Sequence, residues 1–225
     1  MAAHTIYSYP SNPRVFKAQI AARINGVQIE VHEIDLKAGQ HKTPEFLKKN
    51  PLGKVPTLET PEGPIFESNA IARYAARLNG DAHHLYGRSV YQAGLVDQWI
   101  DFSVNEIDLP AAAWLYPIFG IIPENPDATK AAKGDIRKAL KILDDFLLNH
   151  QFLVGERFSL ADIVVAMSLT PLYKMVLDAG FRKSFANANR WFELVTNQPD
   201  VIAVTGPIAL CTKMAVAPKP AVCPP

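Results

Sequence analysis

The segment of residues 54–69 carries two groups of residues that could hold the main chain of a small ligand. Pro56 cannot donate to a sheet, and an X-Pro bond becomes cis at low cost, so we predict a cis Val55-Pro56 peptide at a strand start. That bend would leave the backbone N–H and C=O of Val55 free to pair with a ligand backbone. Glu67 and Ser68 follow at a predicted helix N-terminus, which attracts a carboxylate, while Glu67 can accept from an ammonium. The pattern therefore predicts a site for a zwitterionic, amino-acid-like group.

Short elements must position these groups. Asn12 and Thr43 each precede a proline, the pattern of a helix N-cap followed by its first residue, and Ser68 is the predicted N-cap of a third helix. The T-P-E-G run at 60–63 predicts a tight turn between two strands. The predicted elements are a strand at 5–9, a helix at 13–25, a strand at 27–31, a helix at 44–49, a hairpin at 55–67 and a helix at 69–79.

This β-α-β-α-β-β-α order predicts a thioredoxin-like α/β domain. Its first helix should bury Phe16, Ile20 and Ile24, which recur every four residues. The two cysteines, Cys211 and Cys223, lie far downstream, so the domain has no Cys-x-x-Cys pair. Thiol oxidoreduction through such a pair is therefore excluded.

From about residue 88 onward, every periodic segment is helical, which predicts an all-α second domain. Ser159 and Asp162 have the spacing of a capping box before an apolar helix, so we assign Asp162 a structural role. The predicted organisation is a thioredoxin-like domain at 1–80, an all-helical domain at 88–215 and the start of a Pro/Ala-rich linker at 216–225.

The composition excludes several classes of function. The 225 residues are 48% hydrophobic and 20% charged, with a net charge of +1, so they show no footprint for nucleic acid. Two cysteines provide neither a disulfide framework nor metal-ligand spacing, which favours a reducing, intracellular location. We expect no signal peptide and no transmembrane segment.

The K-V-P run at 54–56, followed by Glu67-Ser68, resembles the glutathione-binding half of cytosolic glutathione transferases, with spacing closest to the theta type. The resemblance implies that Val55-Pro56 pairs with the cysteinyl backbone of glutathione and that Glu67 and Ser68 hold its γ-glutamyl end. His41 and Lys54 could reach the glycyl carboxylate, or either could be a solvated loop residue, just as Glu67 and Ser68 could be only a strand end and a helix cap. The full set of implied glutathione-binding residues is Arg14, His41, Lys54, Val55, Pro56, Glu67, Ser68 and Asn69.

Further strings along nearly the whole chain resemble the N-terminal domain of the translation elongation factor 1 gamma family. They are T-P-E-F-L at 43–47, F-E-S-N-A-I-A at 66–72, F-L-V-G-E-R at 152–157, L-A-D-I at 160–163, N-R-W-F at 189–192 and L-C-T-K-M-A at 210–215. This resemblance implies a cytoplasmic subunit of the complex that recharges the tRNA-carrying GTPase. Its implied partners are the nucleotide-exchange subunit and, as a further candidate, an aminoacyl-tRNA synthetase. The alternative is a stand-alone theta-like transferase that conjugates a thiol to electrophiles.

A transferase must stabilise the thiolate of glutathione, which a hydroxyl near a helix N-terminus can do. Ser11 precedes the first helix and is our candidate, although it could merely serve the turn. Ser8 is the alternative, because a gapless alignment on Pro10 and Arg14 gives it the place of the tyrosine in tyrosine-type transferases. Three aromatic residues could line an apolar co-substrate pocket or belong to the core: Trp114, Tyr116 and Phe119.

The first helix of the second domain, predicted at 90–107, raises the question of assembly. In the transferase family the equivalent helix packs across a two-fold axis, so Trp99 and Phe102 are expected in an interface. Asp97 and Asp101 would then reach the ligand of the neighbouring subunit. The sequence leaves open whether this surface forms a homodimer or receives another factor subunit.

Overall fold

The computed structural model describes residues 4–218, whose elements we label in chain order. The first half contains β1 (His4–Ser8), α1 (Pro13–Ile24), β2 (Ile29–Glu33), α2 (Pro44–Lys49), β3 (Thr57–Thr60), β4 (Gly63–Phe66) and α3 (Ser68–Arg77). The second half contains α4 (Val90–Phe102), α5 (Leu109–Ile118), α6 (Pro126–Leu147), α7 (Leu160–Met175), α8 (Ala179–Arg182), α9 (Ala186–Thr196) and α10 (Pro199–Thr205).

The sheet has the order β2-β1-β3-β4, with β1 parallel to β2 and antiparallel to β3. Ile6 lies opposite Leu58 at the centre of the sheet, and both side chains are fully buried. β3 and β4 form the predicted hairpin, with Thr60 paired to Gly63 across the turn. The thioredoxin-like fold class with an all-helical second half is therefore confirmed.

Helix α1 lies between the two halves of the molecule, because it packs against α3 on one side and against α7 and α10 on the other. It consequently buries residues around most of its circumference. Of the predicted stripe, only Ile20 is fully buried, whereas Phe16 and Ile24 pack against the core with partial exposure. The stripe prediction is wrong because a helix between two layers has no single buried face.

Helix α7 is the centre of the second half, and nearly all of its side chains are buried. It begins at the predicted capping box, in which the Asp162 carboxylate accepts from the backbone N–H and the hydroxyl of Ser159 at 3.0 and 2.8 Å. The carboxylate also accepts from the Leu153 N–H and the Trp191 indole N–H. Asp162 therefore joins the loop before α7 to α9, which confirms its structural role.

The predicted helix at 90–107 is not a regular α-helix along its whole length. α4 ends at Phe102, and a short π-helix over Ser103–Asp108, which we call the π-turn, continues into α5. A proline lacks the N–H that an α-helix needs, and Pro110 lies just beyond this wide turn. Trp99 is only 5% exposed and stacks edge-on against Phe102 and Phe146 of the same chain. Most of the Trp99 side chain is therefore buried within its own chain, and an interface on this helix remains a prediction.

The predicted domain boundaries at 80 and 88 fall in the connection between α3 and α4, and remain predictions. Most of the predicted linker, residues 219–225, lies outside the described residues. Within residues 4–218, no helix is both long and apolar enough to cross a membrane.

Candidate functional site

A cleft of about 910 Å³ lies between the two halves of the molecule, and we call it the outer cleft. All eight residues that the sequence implies for glutathione binding line it: Arg14, His41, Lys54, Val55, Pro56, Glu67, Ser68 and Asn69. They come from α1, from the loops on either side of α2 and from the start of α3. Residues that are scattered over 56 positions of the sequence thus converge on one surface.

The Val55-Pro56 peptide is cis, as the sequence predicts. The segment before β3 is held in place by Asn50, whose buried side chain donates to the Lys54 carbonyl at 2.8 Å and to the Thr57 hydroxyl at 3.1 Å. A buried amide with two such bonds fixes the backbone that faces the cleft.

Ser68 is the first residue of α3 rather than its N-cap, so that part of the prediction is wrong. Glu67 takes the N-cap position with φ 71° and forms no side-chain cap. A positive φ is rare outside glycine, and such residues concentrate at binding sites. Ser68, Asn69 and Ala70 line the outer cleft, so the N-terminus of α3 forms part of its wall, where free N–H groups can bind a carboxylate.

Lys17 is a site residue that we did not predict. Its side chain is 1% exposed, and its Nζ donates to Asn69 Oδ1 at 3.1 Å and lies 3.7 Å from Asp108 Oδ2. Burial lowers the pKa of Lys17, and the Arg14 guanidinium lowers it further, whereas Asp108 opposes the shift. The only feature of the sequence that could have indicated this site is that a single lysine follows Phe16 in a helix that is otherwise largely apolar.

A second, largely apolar cavity of about 520 Å³ continues inward from the outer cleft, and we call it the inner cavity. Tyr9, Arg14 and Tyr116 border both spaces, which makes them continuous. Partial desolvation alone would lower the pKa of Arg14, but Tyr116 and Asp108 raise it overall. The inner cavity is lined by Tyr9, Asn12, Pro13, Arg14, Lys17, Leu36, Asp108, Ala111, Ala112, Leu115, Tyr116, Phe119, Ile121, Met167, Ser168 and Pro171.

Two of the three predicted co-substrate residues, Tyr116 and Phe119, line the inner cavity. Trp114 does not line it, because its side chain is 2% exposed and packs against Phe181 of α8. Tyr9 was not predicted, although it is the last aromatic residue before α1. Burial raises the pKa of Tyr9, so its phenol stays a hydrogen-bond donor at neutral pH.

Neither candidate serine is among the residues that line the outer cleft. Ser8 is fully buried, and its Oγ accepts from Asn12 Nδ2 at 3.0 Å. Asn12 in turn caps α1 by accepting from the Arg14 N–H. Ser11 is exposed and has a positive φ of 57° in the turn before α1. Thiol activation by Ser11 remains a prediction.

The two predicted cross-subunit acids are paired within the chain. Arg73 of α3 donates to Asp97 at 2.6 Å and to Asp101 at 3.2 Å, and the Tyr86 hydroxyl also donates to Asp97. Burial raises the pKa of Asp97, but the bonds from Tyr86 and Arg73 lower it overall. Asp101 and Arg73 line the outer cleft, whereas a role across a subunit boundary remains a prediction.

Within residues 4–218, no group of three or more His, Cys, Asp or Glu side chains is arranged to hold a metal ion. The site therefore offers hydrogen-bond donors, one cis-proline loop, a helix N-terminus and an apolar cavity. This combination suits a peptide-like ligand beside a small apolar molecule.

Comparisons with known proteins agree with this geometry. Residues 2–77 match the model of the glutathione S-transferase N-terminal domain, and residues 109–199 match that of the C-terminal domain. Human elongation factor 1-gamma is 46% identical over 223 residues, which cover 96% of this chain and 49% of that protein. The chain thus spans about half the length of the curated relatives it matches.

Two solved structures are similar along almost their whole length. The GST-like domain of elongation factor 1-gamma from Saccharomyces cerevisiae has a TM-score of 0.82 at 23% identity, with 97% of this chain and 100% of that chain covered. A delta-class glutathione transferase from Nilaparvata lugens has a TM-score of 0.74 at 30% identity, with 90% of each chain covered. The predicted resemblances are confirmed, and this chain belongs to the glutathione S-transferase family.

Proposed function

We propose that this chain is the glutathione-transferase-like domain of a translation elongation factor of the 1-gamma type, where it serves as a scaffold for the nucleotide-exchange complex. The observation that carries the proposal is the 46% identity to elongation factor 1-gamma along 96% of the chain. A transferase with no such role would share the fold and the outer cleft, but not this identity over both halves. The expected partners are the nucleotide-exchange subunit and an aminoacyl-tRNA synthetase, in the cytoplasm.

The same domain is proposed to bind glutathione, or a related thiol, in the outer cleft. The N-terminus of α3 would receive the γ-glutamyl carboxylate and Glu67 its ammonium. His41 lines the outer cleft, and its buried Nδ1 has no hydrogen-bond partner among the described residues, which supports a contact with the glycyl carboxylate. Lys54 is exposed beside it and would add a second positive charge.

A second candidate function is conjugation of this thiol to an electrophile, and it is favoured by the inner cavity. That cavity joins the outer cleft at Tyr9 and Tyr116 and has mostly apolar walls. A thiolate in the outer cleft would therefore face an apolar co-substrate, with Ser11 as the proposed donor to the sulfur. If no exchange-factor partner exists, the chain would be a stand-alone transferase.

Titration calorimetry with glutathione tests whether this thiol binds in the outer cleft. Combining Glu67→Ala with Ser68→Ala should weaken binding by about 2–4 kcal/mol, since charged and neutral hydrogen bonds are both lost. Glu62→Ala is the matched control, because Glu62 is an exposed carboxylate in the hairpin turn outside the cleft. Equal affinity of the double variant and the control would refute glutathione binding at this position.

Mixing the purified chain with the nucleotide-exchange subunit tests whether the chain forms the proposed complex. Size-exclusion chromatography with light scattering should show a stoichiometric complex, which should persist in the Glu67/Ser68 double variant if assembly and thiol binding use separate surfaces. Failure to form any complex, together with rapid conjugation of glutathione to an electrophile, would favour the stand-alone transferase instead.

A further inference from the structure

The inner cavity contains a lysine with an unusually incomplete set of partners. Lys17 can donate three hydrogen bonds. Among the described residues, its Nζ makes one, to Asn69 Oδ1 at 3.1 Å, and lies near one carboxylate, Asp108, at 3.7 Å. The side chain is only 1% exposed, so bulk water does not complete the set. A buried ammonium with so few partners is costly, and this favours the neutral amine.

Two charged groups face Lys17, and they have opposite effects on its pKa. Asp108, from the π-turn, favours the ammonium, whereas Arg14, one turn earlier on α1, disfavours it. Asn69, from α3, is neutral. Burial is the largest influence, and it lowers the pKa of Lys17. A lysine that is desolvated in this way loses its proton more readily than a lysine on the protein surface, and is therefore the better nucleophile.

The rest of the cavity provides what an uncharged ligand would need. Leu115, Met167 and Pro171 contribute apolar surface from α5 and α7. Ser168 also lines the cavity, and its buried Oγ has no hydrogen-bond partner among the described residues. A cavity with an amine, an unsatisfied hydroxyl and apolar walls suits a ligand with one carbonyl oxygen and a hydrocarbon body.

We propose that Lys17 is a nucleophilic amine that captures an apolar aldehyde in the inner cavity as a reversible imine. The nitrogen lone pair attacks the carbonyl carbon, and one N–H proton passes to the carbonyl oxygen to give a neutral carbinolamine. The second N–H proton then passes to the hydroxyl group, the C–O bond breaks, water leaves, and the C=N bond forms. No oxidant or reductant is needed.

Two neighbours fit the proton transfers of this step. Asp108 Oδ2, at 3.7 Å from Nζ, is close enough to pass a proton between the nitrogen and the leaving oxygen after a small shift or through one water. The Ser168 hydroxyl can donate to the carbonyl oxygen and so polarise it. This activity does not require glutathione and is independent of the proposed thiol chemistry.

Reductive trapping tests the proposal. The wild-type chain is incubated with octanal and sodium cyanoborohydride near neutral pH, digested, and mapped by mass spectrometry for the resulting secondary amine. The peptide containing Lys17 should carry more alkyl label than any peptide with an exposed lysine. Raising the pH should narrow this preference, because the exposed lysines then also lose their protons.

Two variants sharpen the test. Lys17→Arg keeps a hydrogen-bond donor next to Asn69 and Asp108 but cannot form an imine, so the preferred label should be lost while circular dichroism stays unchanged. Lys138→Met removes a surface lysine that is 78% exposed on α6, and the label at Lys17 should remain. If the wild-type label follows surface exposure, with no preference for Lys17, the proposal is wrong even when Lys17→Arg does not fold.

Discussion

Replacing Asp162 should reveal how strongly one buried carboxylate joins the helices of the second half. Asp162 Oδ1 accepts from the Leu153 N–H at 2.9 Å and from the Trp191 indole N–H at 2.8 Å. Its Oδ2 accepts from the Ser159 N–H at 3.0 Å and from the Ser159 hydroxyl at 2.8 Å. Asp162→Ala would leave three buried N–H donors without an acceptor, whereas the hydroxyl can rotate toward another partner.

Each buried donor without an acceptor costs about 1–3 kcal/mol, so we expect Asp162→Ala to lower the free energy of unfolding by about 3–5 kcal/mol. Burial raises the pKa of Asp162, which means that removing the charge returns part of its lost hydration energy. Three full penalties would sum to about 9 kcal/mol. Because the regained hydration energy offsets part of that sum, the loss of stability should be nearer to about 3 kcal/mol.

Asp162→Asn is the matched comparison, because its remaining oxygen can still accept from Leu153 and Trp191. Only the Ser159 N–H then faces an amide donor, so the cost should be about half that of Asp162→Ala, or about 2 kcal/mol. Urea denaturation gives both values, and calorimetry should show a Tm lower by about 10 °C for Asp162→Ala in a chain of this size. A loss below about 1 kcal/mol, or a larger loss for Asn than for Ala, would refute this reasoning.

Three further predictions concern the site and the assembly. Ser11→Ala should slow thiol conjugation by roughly 100-fold or less, whereas Ser8→Ala should mainly lower stability, by about 1 kcal/mol, through the loss of its bond to Asn12; loss of activity in Ser8→Ala alone would reverse the assignment. Arg73→Met should lower stability at neutral pH by less than about 1 kcal/mol. Because the pKa of Asp97 is lowered in the folded protein, the difference in stability between wild type and Arg73→Met should vanish as the pH falls through that pKa. Urea titrations at several pH values measure this difference. A difference that stays constant with pH would show that the pair is unimportant. Light scattering at micromolar concentration should show a self-associated chain if the α4 surface forms a homodimer, and a clean monomer would exclude one.

Local sequence was sufficient for the cis Val55-Pro56 peptide and for most helix starts. A proline restricts its own backbone and that of the residue before it, so Val55-Pro56 could be placed correctly without knowledge of the rest of the fold. The caps at Asn12 and Thr43 were equally predictable, because a capping side chain bonds to N–H groups two or three residues away. The eight glutathione-binding residues were instead named from the family resemblance, and it is the fold that brings them to one surface.

Burial between elements depended on tertiary packing. Lys17 lies in an ordinary helical position, and only the approach of α3, α7 and the π-turn removes it from water. Trp114 and Trp99 turn into the core because the neighbouring helices provide aromatic partners at those places. Arg73 pairs with Asp97 because α3 and α4, which are separate segments of the sequence, meet side by side.

The sequence by itself thus determined the order of the elements, the cis Val55-Pro56 peptide and the capping box of Ser159 and Asp162, because these depend on backbone chemistry within a few residues. The tertiary structure alone decided which polar groups are desolvated and which aromatic side chains face a cavity. Desolvation is set by what packs around a group from distant parts of the chain, and for that reason the lysine in the inner cavity became visible only in the folded protein.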